Sequence, residues 1–459
     1  MRPVELSEVV RVMNGDLVGG DANALVQGAS IDSRVVRPSQ LFFALKGQSD
    51  GVDFAPEAQR RGAVATVASR PLDVPTVVVE DPLRALQDLA RWSLSGQSAS
   101  SPTVVGITGS IGKTTSKDAL ATILRASGMK VCATEGNFNN EIGLPLTVLS
   151  ANERTEVLVL EMGATHRNDI TALCDIAPPQ VGILTAISPV HLESFGSLDA
   201  LAAAKGELAD AVPEDGCFVA PYQVPGAAVA QDKTFSRRTV FSREADNGVQ
   251  LWASEVEEQA EGLRFVVHWG GDSTEVSVPI HGTHLIEPLL AAFGGALCLG
   301  VELHDAAQGI SRIKRTGLRG DVYRLRDDIV VYDDSYNASP KAMEAVLRYG
   351  AEQAESQNQR FVAVLGSMFE LGADARAYHR ETGKIAEEVG VDLLVGVGEE
   401  ARWYAETFSG KTLLFDDAPS AAAAIQEALR GGEYIVVKGS RGVSLDLLTS
   451  TLRERMTLV

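Results

Sequence analysis

The chain has 459 residues, 45% of them hydrophobic and 22% charged, with 43 Gly and 18 Pro. This length gives room for about three domains, and the composition excludes a disordered, collagenous or disulfide-dense protein. The 61 acidic against 41 basic side chains leave a formal charge of −20, a field that repels nucleic-acid backbones and anionic lipid.

In chain order, the first segment mixes short β-branched runs at Ala63 to Ala68 and Thr76 to Val79 with turns such as Ser49-Asp50-Gly51. It reads as a small α/β domain. An amphipathic helix (Leu83, Leu86, Leu89, Ala90) leads into RWSLSGQSASSP, a Ser/Gly/Pro cluster that marks a boundary. From Thr103, apolar runs (TVVGIT, VCAT, VLVLEMG, VGILTAI) alternate with helical periods, the pattern of buried parallel strands joined by helices. Pieces such as LRFVVHW and TEVSVPI, between Cys217 and Ile280, alternate instead and predict antiparallel strands appended to the parallel core. A helix follows at Pro288 to Leu299. Beyond the basic stretch Arg312 to Arg319 a second series (DIVVYDDS, FVAVLG, DLLVGVG, YIVVKG, with intervening helices) predicts a doubly wound domain. The expected architecture is α/β in three domains: residues 1–98, a central P-loop domain 99–315 with a mostly parallel sheet plus antiparallel strands, and a Rossmann-like domain 316–459.

Cys132, Cys174, Cys217 and Cys298 are far apart in sequence with no CxxC pair, so neither a zinc site nor a disulfide framework is expected and a reducing cytosol fits. No stretch reaches the ~18 uninterrupted apolar residues of a membrane span, and MRPVELSEVVRVMNG has no apolar h-region. The expectation is a cytoplasmic monomer with no membrane insertion and no nucleic-acid partner.

The strongest local signal is Thr108-Gly109-Ser110-Ile111-Gly112-Lys113-Thr114-Thr115, between a strand and a helix. Glycines let backbone N–H groups turn onto phosphate oxygens, the helix start adds positive partial charge, and Lys113 adds a full one. Thr114 suits a Mg²⁺ ligand. The general P-loop pattern asks for Gly where this chain has Ile107, so the match is to Gly109 with Gly-Lys-Thr. Glu161 ends the run Val157-Leu158-Val159-Leu160, placing a carboxylate at a strand end beside the loop, where an ion would sit.

Together these segments resemble the Mur ligases, the ATP-dependent amide ligases of peptidoglycan assembly, and within them the branch that adds D-alanyl-D-alanine. The resemblance covers essentially the whole chain. It rests on Ile31-Asp32-Ser33-Arg34, Leu41 to Gly47, the phosphate loop, Gly136-Asn137-Phe138-Asn139-Asn140-Glu141-Ile142-Gly143 and Glu161-Met162-Gly163-Ala164. It rests further on His191 to Gly196, Ala204-Lys205-Gly206-Glu207, Asp333-Asp334-Ser335-Tyr336-Asn337-Ala338 and Val437-Lys438-Gly439-Ser440-Arg441-Gly442.

The resemblance implies UDP-N-acetylmuramoyl-tripeptide and D-alanyl-D-alanine as substrates, ATP, two Mg²⁺ ions and an acyl phosphate intermediate. It implies that Gly109, Ser110, Gly112, Lys113, Thr114 and Thr115 hold the phosphates. Thr114, Glu161, His191 and Lys205 would serve the metals, with Lys205 carried as a carbamate. Arg319 would reach the nucleotide phosphates from the third domain, and Asp334, beside Tyr336 and Asn337, would meet the ribose. Ser33 and Arg34 would contact uridine diphosphate, and Asn139 and Asn140 the muramoyl substrate. Lys438, Ser440 and Arg441 read equally as a basic turn at a helix start and as contacts to the dipeptide carboxylate. Four positions depart from the family pattern: Val52 stands where His is usual, Ser367 where Asp is usual, and Leu285 and Pro288 where two asparagines are usual. No adenine contact is assigned. An alternative reading is a relative with another carboxylate or amine substrate; a nucleotide-binding protein that no longer turns over has little need of two metal positions.

Overall fold

The computed structural model describes residues 1–47, 49–95, 101–190, 192–224, 233–314 and 317–456. Three main sheets divide the chain. A five-stranded sheet lies within residues 16–78, a nine-stranded sheet runs from Thr103 to Val278, and a six-stranded sheet from Asp321 to Lys438. The expected boundaries at 98/99 and 315/316 lie outside the described residues.

In the nine-stranded sheet, Thr103–Thr108 is central, flanked by parallel strands Val157–Glu161 and Val181–Leu184. These strands are buried end to end because helices cover both faces, which is why the sequence reads as apolar runs without alternation. Lys113–Ala126 buries Ala119, Leu120, Ile123 and Leu124, a stripe at helical spacing. It packs against Ile286–Cys298 and Leu303–Ile310 on one face.

The region from Cys217 corrects the expectation. Cys217–Pro221 and Arg237–Ser242 continue the parallel sheet, and Leu251–Gln259 joins it in parallel through two residue pairs. Only Leu251–Gln259, Gly262–Trp269 and Asp272–Val278 form the antiparallel meander. Arg237–Ser242 lies under Ile286–Cys298, so burial on that face, with polar residues between, produces an alternation that mimics an antiparallel strand.

The helix Pro82–Leu94 starts where Asp81 accepts from the N–H groups of Leu83 and Arg84, an N-cap followed by proline at the first turn. It packs on Gly143–Ser150, and one apolar cluster spans Leu86, Leu89, Leu144, Leu149 and Leu158. The N-terminal segment and the central sheet therefore share a core.

The six-stranded sheet is parallel except for the edge strand Asp321–Leu325, which pairs antiparallel with Ile329–Asp333. Strand Glu433–Lys438 sits between Ile329–Asp333 and Arg360–Gly366. The chain thus leaves Ile329–Asp333 over a gap filled only by its last strand, and a crevice opens at the strand ends carrying Asp334 and Lys438.

Candidate active site

The phosphate loop has a shape that only glycine permits at two positions. Gly109 has φ +146°, and a Cβ there would lie 2.1 Å from Thr185 Oγ1; Gly112 has φ +88°, with Pro288 Cγ 2.8 Å from its Cβ position. Both values fall in the left-handed region that favours glycine. The loop is braced from the neighbouring strand: Thr185 Oγ1 donates to Ile111 O at 2.6 Å, Ser110 N donates to Ala186 O at 2.7 Å and Ser188 N donates to Ser110 Oγ at 3.0 Å. Ser116 Oγ donates to Pro288 O at 2.9 Å, tying the helix start to the helix that packs on it. Lys113 Nζ turns back to Gly109 O at 2.8 Å. Burial pulls its pKa down, opposed by Glu161 and reinforced by Arg319.

Glu161 is 3% exposed. Its Oε2 accepts from Thr114 Oγ1 at 2.8 Å and its Oε1 from Asn139 Nδ2 at 2.8 Å, while its own N–H donates to Thr134 Oγ1 at 2.9 Å. One carboxylate thus joins the loop threonine to the asparagine string. A buried charge needs such partners, and the same oxygens with the Thr114 hydroxyl form the hard donor set that Mg²⁺ takes. The cradle at Gly109 and Gly112, which a Cβ would fill, suits phosphate. The residues present therefore fit a Mg²⁺ nucleotide.

Lys205, on Leu198–Ala211, is 2% exposed, with Nζ donating to Ala164 O at 3.1 Å and lying 5.9 Å from the Phe195 ring centre. Burial, reinforced by Lys113, pulls its pKa from 10.5 to about 7, against the pull of Asp169, Glu207 and Glu161. Lys205 is therefore not a solvated helix lysine. His191 lies outside the described residues.

The third domain closes the site. A cleft of about 250 Å³ is lined by Ser110, Gly112, Lys113, Thr114, Thr115, Asn139 and Glu161 on one side and by Arg319, Asp334, Tyr336, Asn337 and Lys438 on the other. Arg319 stacks 4.0 Å over the Tyr336 ring. Lys438 Nζ donates to Asp334 Oδ2 at 2.5 Å and to Asn337 O at 3.0 Å. An adjoining groove of about 1070 Å³ shares Thr114, Arg319 and Tyr336 and carries Lys117, Arg125, Arg312 and Lys314.

Other expected residues are placed differently. Lys438 lies in this cleft, held by Asp334, whereas Ser440 accepts from Phe369 N at 2.9 Å and Arg441 pairs with Asp446 at 3.0 Å. Asn140 Oδ1 accepts from Gly143 N at 2.9 Å, so it secures the start of Gly143–Ser150. Ser33 Oγ donates to Glu57 Oε2 at 2.6 Å, and Arg34 forks onto Asp32 at 2.8 to 2.9 Å. Neither lines the cleft. Leu285 and Pro288 do, beside His284, whose imidazole is held neutral as burial pulls its pKa from 6.5 to about 4. Ser367 is fully buried, its Oγ accepting from Glu400 N at 3.1 Å. Thr134 and Thr185 escape sequence reasoning: they touch functional groups from neighbouring strand ends, and a lone threonine carries no spacing signal.

The Mur ligase middle domain matches residues 107–296, the Mur ligase glutamate ligase domain 318–441 and the Mur ligase family catalytic domain 25–91. The UDP-N-acetylmuramoyl-tripeptide–D-alanyl-D-alanine ligase of Mycobacterium bovis is 34% identical over 98% of this chain and 96% of its own length. A crystal structure of MurF from Acinetobacter baumannii superposes with a TM-score of 0.86 at 27% identity, covering 99% of each chain. MurF ligase from Thermotoga maritima, solved in complex with ADP, gives 0.78 at 28% identity over 94% of this chain and 97% of that one. With a phosphate loop, a metal-type carboxylate and a two-domain cleft already in place, these likenesses along the full length establish that the chain belongs to the Mur ligase family.

Proposed function

We propose that this chain is an ATP-dependent, ADP-forming amide ligase that joins D-alanyl-D-alanine to UDP-N-acetylmuramoyl-tripeptide in peptidoglycan precursor synthesis. The observation that carries the reading is the cleft itself, where Lys113, Thr114 and Glu161 of the central domain face Arg319 and Asp334 of the third. The full-length similarity to ligases of that name supports the substrate pair. All these groups come from one chain, which supports action as a monomer. The nucleotide substrates of this reading, ATP and a uridine diphosphate sugar, place it in the cytoplasm; no helix among the described residues is long and apolar enough to cross a membrane.

A carboxylate is a poor acyl donor at neutral pH, so it must first be activated. The tripeptide carboxylate attacks the γ-phosphorus of ATP, the bond to the β-phosphate breaks, and ADP leaves. The amine of D-alanyl-D-alanine then attacks the carbonyl carbon of the acyl phosphate and expels phosphate. Phosphoryl transfer depends mostly on positioning and charge neutralisation. The loop N–H groups of Gly109 to Thr115 hold the phosphates, and Lys113 exchanges its bond to Gly109 O for a phosphate oxygen. Arg319 approaches from across the cleft, and Asp334 accepts from a ribose hydroxyl. Mg²⁺, held by Thr114 and Glu161 with a second ion at His191 and Lys205, would supply further neutralisation of the migrating group. A lysine near pKa 7 is partly neutral at physiological pH, the state that captures CO₂; Lys205 as a carbamate would convert a buried cation into an anion suited to that second ion. Loss of activity in Lys205→Ala that neither bicarbonate nor a short carboxylic acid restores would leave the carbamate unsupported.

The deciding experiment is ADP formation with UDP-N-acetylmuramoyl-tripeptide, with and without D-alanyl-D-alanine, followed by mass analysis. A product lengthened by the dipeptide is expected. Incorporation of a different amine would overturn the substrate assignment.

A further inference from the structure

Two cysteines separated by 80 residues of chain meet on one face of the central sheet. Cys217 opens strand Cys217–Pro221, and Cys298 ends helix Ile286–Cys298. The helix lies so close to the strand that a Cβ on Gly294 would fall 2.6 Å from Val219 Cγ1 and 3.5 Å from Thr239 Cγ2. Cys298 is one turn beyond Gly294, and Cys217 is two residues before Val219; each step spans roughly 6 Å. The direction of travel is fixed independently. Arg237 is the register partner of Cys217, and its Nη1 donates to Leu297 O at 2.6 Å, one residue before Cys298. The helix end and the strand start thereby bring the two side chains together, each thiol acting on the other; both are half-buried, and Ser236 Oγ is 4.0 Å from Cys217 Sγ.

We propose that Cys217 and Cys298 form a reversible oxidation site that closes to an intrachain disulfide by exchange with a low-molecular-weight disulfide. The two sulfurs are unequal. The Cys298 thiol, then Ser236 and Arg237, hold Cys217 below the ordinary thiol pKa against burial, while the same contact and burial push Cys298 up. With Ser236 Oγ 4.0 Å from its sulfur and Arg237 at the paired register position, Cys217 is the attacking thiolate. Its sulfur attacks one sulfur of oxidised glutathione and releases a glutathione thiolate. Cys298 then gives its proton to solvent as its sulfur attacks Cys217 Sγ and expels the second glutathione thiolate. Two protein thiols are oxidised and one disulfide is reduced to two thiols. Cys132 and Cys174 have no such neighbour: burial raises both, Cys174 to about 12. The site sits at the end of Ile286–Cys298 remote from the nucleotide cleft, so the cross-link acts on the stability of the central domain by closing an 80-residue loop in the unfolded chain.

The test treats the reduced full-length protein, under native conditions, with oxidised glutathione, alkylates the remaining thiols and maps them by mass spectrometry. The expected result is a Cys217–Cys298 linked peptide with Cys132 and Cys174 alkylated, and an unfolding midpoint that rises on oxidation and falls back with dithiothreitol. Cys298→Ser should stop at a glutathione adduct on Cys217 and show no rise. An adduct persisting on Cys217 in the unsubstituted chain, a link that forms only in denaturant, or Cys132 reacting as fast as Cys217 would each overturn the proposal.

Discussion

The phosphate end of the cleft and the Ser33–Arg34 segment carry the same kinds of side chain, a buried hydroxyl and a cation, but their cations sit in opposite settings. At the phosphate end Lys113 is turned back onto Gly109 O inside the cleft, beside Glu161, which reaches from another strand to fix Thr114. On the N-terminal domain Arg34 is exposed and paired with Asp32, two residues away. Enclosure makes the first arrangement rigid and electrostatically strong; an exposed local pair is screened and easily exchanged. The difference separates groups set in place for chemistry from groups that must release a neighbour to greet a ligand.

The hardest test of this contrast is Lys113→Ala, expected to lower kcat by on the order of 10³-fold, with Glu161→Gln costing ~10²-fold and raising the Mg²⁺ requirement. Steady-state ADP release checks both, and near-normal turnover in either would erase the contrast. Next is Gly109→Ala, where the added methyl meets Thr185 Oγ1; a loss of about 1–3 kcal/mol in stability and weaker ADP binding are expected from denaturant unfolding and calorimetry. Lys205 sharpens the comparison through pH. With its pKa pulled from 10.5 to about 7, the folded chain binds fewer protons than the unfolded chain between those values. Stability should therefore rise with pH across that window, being lowest below 7. In CO₂-depleted buffer, Lys205→Met should flatten this rise; an unchanged slope would show that folding does not lower the pKa of this lysine. The smallest effect is expected for Arg34→Ala: the midpoint of unfolding stays put, and KM for the uridine diphosphate substrate rises roughly threefold to fivefold.

The same contrast governs what was readable in advance. Thr103–Thr108, Val157–Glu161 and the loop between Thr108 and Lys113 were legible because parallel strands are apolar throughout and phosphate cradles need glycine at fixed offsets. Lys411–Phe415 and Asp321–Leu325 were not read, since both are edge strands that are mostly half-buried or exposed and so lack a continuous buried apolar run. Between Cys217 and Ile280 the antiparallel strands were legible in Gly262–Trp269 and Asp272–Val278, whereas the parallel pairing of Arg237–Ser242 was not, since only one of its faces is buried. In the site, the bond from Asn139 to Glu161 and that from Lys438 to Asp334 join separate strings of the sequence. Each string pointed to function, but only folding shows which strings meet. Asn140 is the counterexample, where a residue beside Asn139 serves the backbone of its own helix start.

The cleft of about 250 Å³ between the phosphate loop and the Asp334 crevice is smaller than the ~300–1,000 Å³ that enclose a drug-sized ligand. It opens beside the groove of about 1070 Å³, with which it shares Thr114, Arg319 and Tyr336. A nucleotide held there by groups of both domains leaves as they part; where that step is the slow one, a single turnover outruns the steady state and thickening the solvent slows the enzyme.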